Sequence, residues 1–305
     1  MSKTPPSAVP QSDPRPIGVF DSGIGGLTVV KQLMSLMPGE SIVYFGDTAR
    51  IPYGSKSVEV VKRFALEDSF FLLEKNVKMI VVACNTASAI AVGFLKEVLP
   101  APITGVIQPG VRAAARRSRK GKIGVIGTTA TVRSSAYYRE LLGINPRFQV
   151  ISRACPLLVP LVEEGWIEDE ATYLIARRYL QPLIENHIDA LILGCTHYPL
   201  LKNVIRRIVG EEVALIDSGV ETAARVQEML AENRLFAPPN TAVEHQFYLS
   251  DLPYKFQEIG ERFLERSLPH VETVNFEEFI MDKGRKFWES FKEKLRRGNP
   301  ARGNG

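Results

Sequence analysis

Two of the three cysteines in this 305-residue chain have matched surroundings. Met79-Ile-Val-Val-Ala runs into Cys84-Asn85-Thr86, and Ala190-Leu-Ile-Leu-Gly runs into Cys195-Thr196-His197. Taken singly, a cysteine after an apolar run is most simply a small buried hydrophobe. Two at equivalent positions suit another use: removing and returning a proton at a carbon centre, with a base on one face and an acid on the other. A thiolate opposite a thiol meets that need, and the roles exchange when the reaction runs backwards. A free thiol of pKa about 8.5 supplies only a few per cent thiolate near neutrality, so neighbours must tune the pair. At the carboxyl end of a strand a cysteine meets the start of the next helix, whose N–H groups favour a thiolate. His197 and Asp21 are the candidates for steering protons near the two sulfurs. Cys155, before Pro156 and in no matching motif, reads as structural.

Other loops offer binding groups. Asp21-Ser22-Gly-Ile-Gly-Gly-Leu-Thr28 follows an apolar run and opens a helix, so its backbone N–H groups could cradle an anion. Its spacing matches neither the dinucleotide fingerprint nor the P-loop, which favours a small carboxylate over a nucleotide. Tyr53-Gly54 and Thr128-Thr129 occupy further loops where hydroxyls and amides could hold an amino acid.

The elements that must position these groups alternate. Short β-branched runs predict strands at Ile17–Phe20, Ile42–Gly46, Met79–Ala83, Ile103–Ile107, Ile123–Ile126, Gln149–Arg153, Ala190–Leu193, Val213–Ile216 and Phe247–Leu249. Amphipathic stretches between them, including Val58–Glu74, Glu168–Glu185 and the Leu27, Val30, Leu33, Met34, Met37 face, predict crossover helices and hence parallel sheets. Two segments repeat at similar offsets. Ile17-Gly-Val-Phe-Asp is echoed by Ile123-Gly-Val-Ile-Gly, 106 residues later, and the Cys84 run by the Cys195 run, 111 residues later. The expected fold is therefore α/β, with two pseudosymmetric lobes, each a mainly parallel sheet flanked by helices, and the active site in the cleft between them.

Composition limits the setting. No run approaches the roughly 18 apolar residues that span a bilayer, and the odd cysteine count without disulfide-like spacing points to a reducing, cytoplasmic compartment. Net charge is +4, but Asp282 to Gly305 alone holds eight cations against three anions, leaving the body near −1. That distribution argues against a globally basic nucleic-acid binder and predicts a solvated basic extension.

The four motifs Asp21-Ser22-Gly23-Ile24-Gly25-Gly26-Leu27-Thr28-Val29, Pro52-Tyr53-Gly54, Ala83-Cys84-Asn85-Thr86-Ala87-Ser88 and Gly194-Cys195-Thr196-His197-Tyr198-Pro199 together resemble the signatures of bacterial glutamate racemases, a likeness covering about Pro16 to Val274. The resemblance implies interconversion of L- and D-glutamate without a cofactor, supplying D-glutamate for peptidoglycan. It implies that Cys84 and Cys195 are the acid/bases and that Asp21, Glu163 and His197 assist proton transfer. It further implies that Asp21, Ser22, Tyr53, Gly54, Asn85, Thr86, Thr128, Thr196 and His197 line the substrate site. The related aspartate racemases generally lack the Thr-His-Tyr-Pro run, whose presence here favours glutamate. The expected organisation is a disordered segment 1–15, a first lobe of 16–108 plus 218–275, a second of 109–217, and a basic extension 276–305 whose deletion leaves turnover within several-fold. A homodimer acting on a small molecule, with no membrane contact and no nucleic acid as main partner, completes the expectation.

Three other readings have weaker support. A single-cysteine hydrolase using His197 leaves the second cysteine unexplained. A zinc site from Cys84, Cys195 and His197 lacks closely spaced paired ligands. A binding module working through the basic tail predicts salt-sensitive nucleic-acid affinity without catalysis.

Overall fold

The computed structural model describes residues 12–252, 256–268 and 270–284. The central apolar runs become parallel strands buried on both faces, as their lack of polar alternation requires, whereas Gln149–Ala154 and Val271–Thr273, at sheet edges, stay largely exposed. In the first sheet these are β1 (Ile17–Asp21), β2 (Ile42–Gly46), β3 (Met79–Val82) and β4 (Ile103–Gly105), and in the second β5 (Lys122–Gly127), β6 (Gln149–Ala154), β7 (Ala190–Gly194) and β8 (Ala214–Asp217). The chain then returns to the first sheet with β9 (His245–Leu249) and β10 (Val271–Thr273). Strand orders are β10-β9-β2-β1-β3-β4 and β6-β5-β7-β8, all pairs parallel. The circuit β2-β1-β3-β4 is that of β6-β5-β7-β8, so the repeats seen in sequence occupy equivalent strands of two pseudosymmetric lobes.

Crossover helices cover the sheets. In the first half of the chain they are α1 (Leu27–Leu36), α2 (Val58–Glu74), α3 (Asn85–Val98), α4 (Ile107–Arg117), α5 (Thr129–Arg133) and α6 (Ala136–Ile144). There follow α7 (Leu158–Glu163), α8 (Glu170–Glu185), α9 (Lys202–Val209), α10 (Ser218–Asn233), α11 (Phe256–Leu264) and the single turn α12 (Phe276–Phe279). Caps set several boundaries. Ser57 accepts from the Val60 N–H to open α2, and Asp169 accepts from the Ala171 N–H, so α8 starts at Glu170 rather than at Glu168. Successive residues of β1 serve different cores: Ile17 and Val19 face the layer shared with α1 and the second lobe, Phe20 the layer with α2 and α3.

Several expectations are corrected. The strand predicted to reach Ile107 ends at Gly105, where a Cβ would meet Val92 and Ser88, and where Ser88 Oγ accepts from the Val106 N–H; Ile107 already belongs to α4. Within residues 1–15, Asp13 is tied in: its N–H donates to the Phe236 carbonyl and its own carbonyl accepts from Lys78 Nζ at 2.9 Å. Phe276, placed in sequence at the start of a solvated extension, is 5% exposed and packs against Phe45 with ring centroids 4.8 Å apart. Phe279 joins it against Phe71 of α2 at 5.2 Å. Most of the basic stretch, from Arg285 onward, lies outside the described residues.

Candidate active site

In an open parallel sheet, loops diverge at the carboxyl ends of the two strands where the chain reverses direction, and ligands collect there. In the first sheet those strands are β1 and β3, which end at Asp21 and just before Cys84; in the second they are β5 and β7, which deliver Thr128 and Cys195. The two openings face one cavity of about 770 Å³. Every residue proposed from sequence lines it: Asp21, Ser22, Tyr53, Gly54, Cys84, Asn85, Thr86, Thr128, Glu163, Cys195, Thr196 and His197.

The lobes are stitched around this cavity by short polar bonds. Thr86 Oγ1 lies 2.9 Å from Thr128 Oγ1, and Asn85 Nδ2 donates to the Tyr137 hydroxyl at 2.9 Å. Thr28 Oγ1 lies within hydrogen-bond distance of the carbonyls of Gly25 (2.9 Å) and Thr196 (3.0 Å). Gly25 is required here, since a Cβ would press on the His197 ring at 2.7 Å and on Thr196 Oγ1.

The two sulfurs have different surroundings. Cys84 is the N-cap residue of α3 and donates to Ser22 Oγ at 3.4 Å. Burial, and then the charge of Asp21, push its thiol up to about 12, against the pull of hydrogen bonds from Ser22 and the Ala87 N–H. The helix terminus expected to favour a thiolate is outweighed by desolvation. Cys195 has no such terminus: the next element is a 3₁₀ turn at Tyr198–Leu201, and its neighbour is His197 Nδ1 at 3.8 Å. His197 Nε2 lies 3.0 Å from Glu163 Oε1. Burial opposes a charged imidazole, but the bonds to Cys195 and Glu163 prevail and push His197 up to about 10, so it carries a proton at neutral pH. Burial also raises the Asp21 carboxyl, while His197 and the N–H groups of Gly23 and Gly26 draw it back. Asp21 Oδ1 and Asn85 Oδ1 are buried acceptors without a protein donor.

One expectation needs a different account. The Tyr53 hydroxyl was a candidate substrate contact, but it is bonded to Asp47 and Asp68 behind the cavity wall. Sequence reasoning missed Phe256 and Ile259, which line the cavity from α11, and Phe263, whose ring stands edge-on to His197 at 5.1 Å. Their only signal is apolar spacing on one helical face, which marks packing as readily as function. Cys155 is buried outside the cavity lining, and among the described residues no group of three His, Cys, Asp or Glu is arranged to hold a metal ion.

Two α/β lobes thus bring one thiol each, from the ends of equivalent strands, to one cavity. The family model for Asp/Glu/hydantoin racemases matches residues 27–226, and the chain belongs to that family. A glutamate racemase of Geobacter metallireducens is 51% identical over 261 residues, covering 86% of this chain and 97% of its own. One from Syntrophus aciditrophicus is 49% identical over 85% and 96% of the two chains. The crystal structure of a Francisella tularensis glutamate racemase with D-glutamate superposes with a TM-score of 0.82 at 43% identity, covering 87% of this chain and 98% of that one. Within its family this chain stands among the glutamate racemases, isomerases of an amino acid.

Proposed function

We propose that the protein interconverts L- and D-glutamate by proton transfer between Cys84 and Cys195, without a cofactor, and that it supplies D-glutamate for peptidoglycan in the cytoplasm. The observation that carries this reading is the delivery of one thiol from each lobe into one cavity. The carboxyl groups of glutamate lie against the N–H-rich loops after β1 and β5, and its ammonium group donates to the acceptors Asp21 Oδ1 and Asn85 Oδ1, which have no protein donor. Acting on L-glutamate, Cys195 as thiolate takes the α-proton beside the charged His197, and Cys84 as thiol delivers a proton to the opposite face. Glu163 holds His197, and Asp21 assists at Cys84. Ser22, Thr86, Thr128 and Thr196, with the backbone of Tyr53 and Gly54, complete the substrate site.

The lobe division belongs to the same reading, with 16–108 plus 218–275 as one lobe and 109–217 as the other; the strand membership of the two sheets and the packing of α10 on α1 support it. A homodimer is the proposed assembly. Circular dichroism of L-glutamate incubated with chelator-treated, pyridoxal-free protein tests the chemistry. The signal is expected to decay to zero at the untreated rate, and activity lost to chelation and restored by zinc would overturn the two-thiol reading.

A further inference from the structure

Behind the cavity wall lies a charged cluster that the proton-transfer chemistry does not use. Arg50 closes a short 3₁₀ turn after β2. Its guanidinium donates from Nε to Asp47 Oδ2 at 2.7 Å, from Nη2 to Asp68 Oδ1 at 2.8 Å, and from Nη1 to Glu67. The same group lies over two rings, its Cζ 4.0 Å from the Phe64 centroid and 4.7 Å from that of Phe276. Asp47 also accepts from Ser250 Oγ at 3.0 Å, and its N–H donates to the Asp21 carbonyl.

Tyr53, 1% exposed, sits on this cluster with its hydroxyl against Asp47 and Asp68. Burial and the charge of Asp47 raise the Asp68 carboxyl above its ordinary value, while Arg50 and the Tyr53 hydroxyl draw it back. The segment clamped in this way, from Thr48 to Ser55, contributes Thr48, Ile51, Pro52, Tyr53, Gly54 and Ser55 to the cavity lining. It also meets the other lobe, because a Cβ at Gly54 would touch Thr128 Cβ at 3.0 Å. A guanidinium is suited to the role: its planar fork reaches three carboxylates at once while its faces stack on aromatic rings, which an ammonium cannot do.

We propose that Arg50 is a positioning residue for the substrate site, fixing the Thr48–Ser55 wall through three carboxylates, with Phe276 of the C-terminal segment as the ring that holds it in place. The inference rests on the racemase reading and adds a role for a part of the chain that no site motif reaches. Arg50 touches neither sulfur, so its loss alters how firmly the wall holds substrate rather than the proton transfer itself.

The test is steady-state kinetics with glutamate in both directions, with Tm measured alongside. Arg50→Lys, which keeps the charge, is expected to raise KM about 10-fold with kcat within about 3-fold of wild type. Phe276→Leu, which keeps apolar bulk but removes the ring, is expected to raise KM about 3-fold, and Phe276→Tyr to restore it. The double variant should fall short of the product of the two single effects, as for residues acting on one wall. A folded Arg50→Lys protein with unchanged KM, or with kcat reduced at constant KM, overturns the proposal. If Arg50→Lys does not fold, the Phe276 pair decides: equal KM for the Leu and Tyr variants overturns it as well. Wild-type protein that does not turn over glutamate defeats the reading of function beneath it, whereas active wild type with insensitive variants defeats this inference alone.

Discussion

At the scale of residues the two sulfurs are unequal, and that inequality can be measured. Cys84 is a buried thiol held up to about 12 beside Asp21, and Cys195 faces a protonated imidazole. Enantiomers have equal free energy, so any variant must lower kcat/KM equally in both directions, and racemisation rates cannot assign a face to a sulfur. A glutamate analogue with a leaving group on the β-carbon can, because elimination needs only deprotonation. Cys84→Ser and Cys195→Ser should each cost about 10² to 10⁴ in racemisation. Cys84→Ser should still eliminate from the L-analogue and Cys195→Ser from the D-analogue; both variants accepting the same enantiomer would sink the assignment. His197 supplies a second measurement. An unfolded histidine titrates near 6.5 and the folded one near 10, so its contribution to stability is complete below pH about 6.5 and is lost as pH rises toward 10. In ¹⁵N-resolved NMR the His197 ring should hold its proton through pH 8, and Glu163→Gln should move the transition toward lower pH. Titration of the wild-type ring near its ordinary value would contradict the Glu163–His197–Cys195 arrangement.

At the scale of elements, function depends on close approach between parts distant in sequence. Gly25 lets the loop after β1 run against Thr196 and His197 of the other lobe. Gly25→Ala should displace both, and since a misplacement of ~1 Å can cost ~10²-fold, racemisation should drop by about that factor. Activity within two-fold of wild type would mean that the second cysteine loop moves aside freely. The turn α12 works at the opposite edge. Phe276 buries its ring against Phe45 and Phe279 packs half-buried on Phe71, and truncating a buried Phe to Ala costs about 3 to 5 kcal/mol. A chain ending at Asn275 should therefore melt at least roughly 6 °C lower than the full chain by calorimetry. An unchanged Tm would restore the solvated-extension view of this segment.

At the scale of the whole molecule, two copies of one strand circuit have been put to different uses. Both carry a cysteine after the third strand of the circuit, but only the first adds β9 and β10 and the covering helix α11. Through Phe256 and Ile259 that helix walls the cavity, and through Phe263 it abuts His197; Arg262 reaches toward the Val162 carbonyl, one residue before Glu163. The first lobe thus supplies one sulfur and also part of the enclosure around the other. Such enclosure matters electrostatically: keeping water out raises the Cys84 thiol and opposes the charge on His197, which the bonds to Cys195 and Glu163 sustain.

Much of this was legible in the linear chain. Strands such as Ile42–Gly46 and the helix Val58–Glu74 match their sequence expectation end to end, because apolar period and capping are local properties. The paired cysteines and the two internal repeats were visible for the same reason, and they sufficed to place a cysteine at the end of each of two equivalent strands. Ile103–Ile107 was misread because a short apolar run suits strand and helix alike until Ser88, brought close by α3, turns the chain. The direction in which Cys84 is tuned could not be read either: the helix terminus is written in the sequence, but the burial that outweighs it is not. Tertiary structure alone turned the Tyr53 hydroxyl away from the cavity, seated Phe276 on Arg50 and brought α11 over His197. These outcomes depend on desolvation and on contacts between residues far apart in the chain, which exist only once both lobes have closed around one cavity.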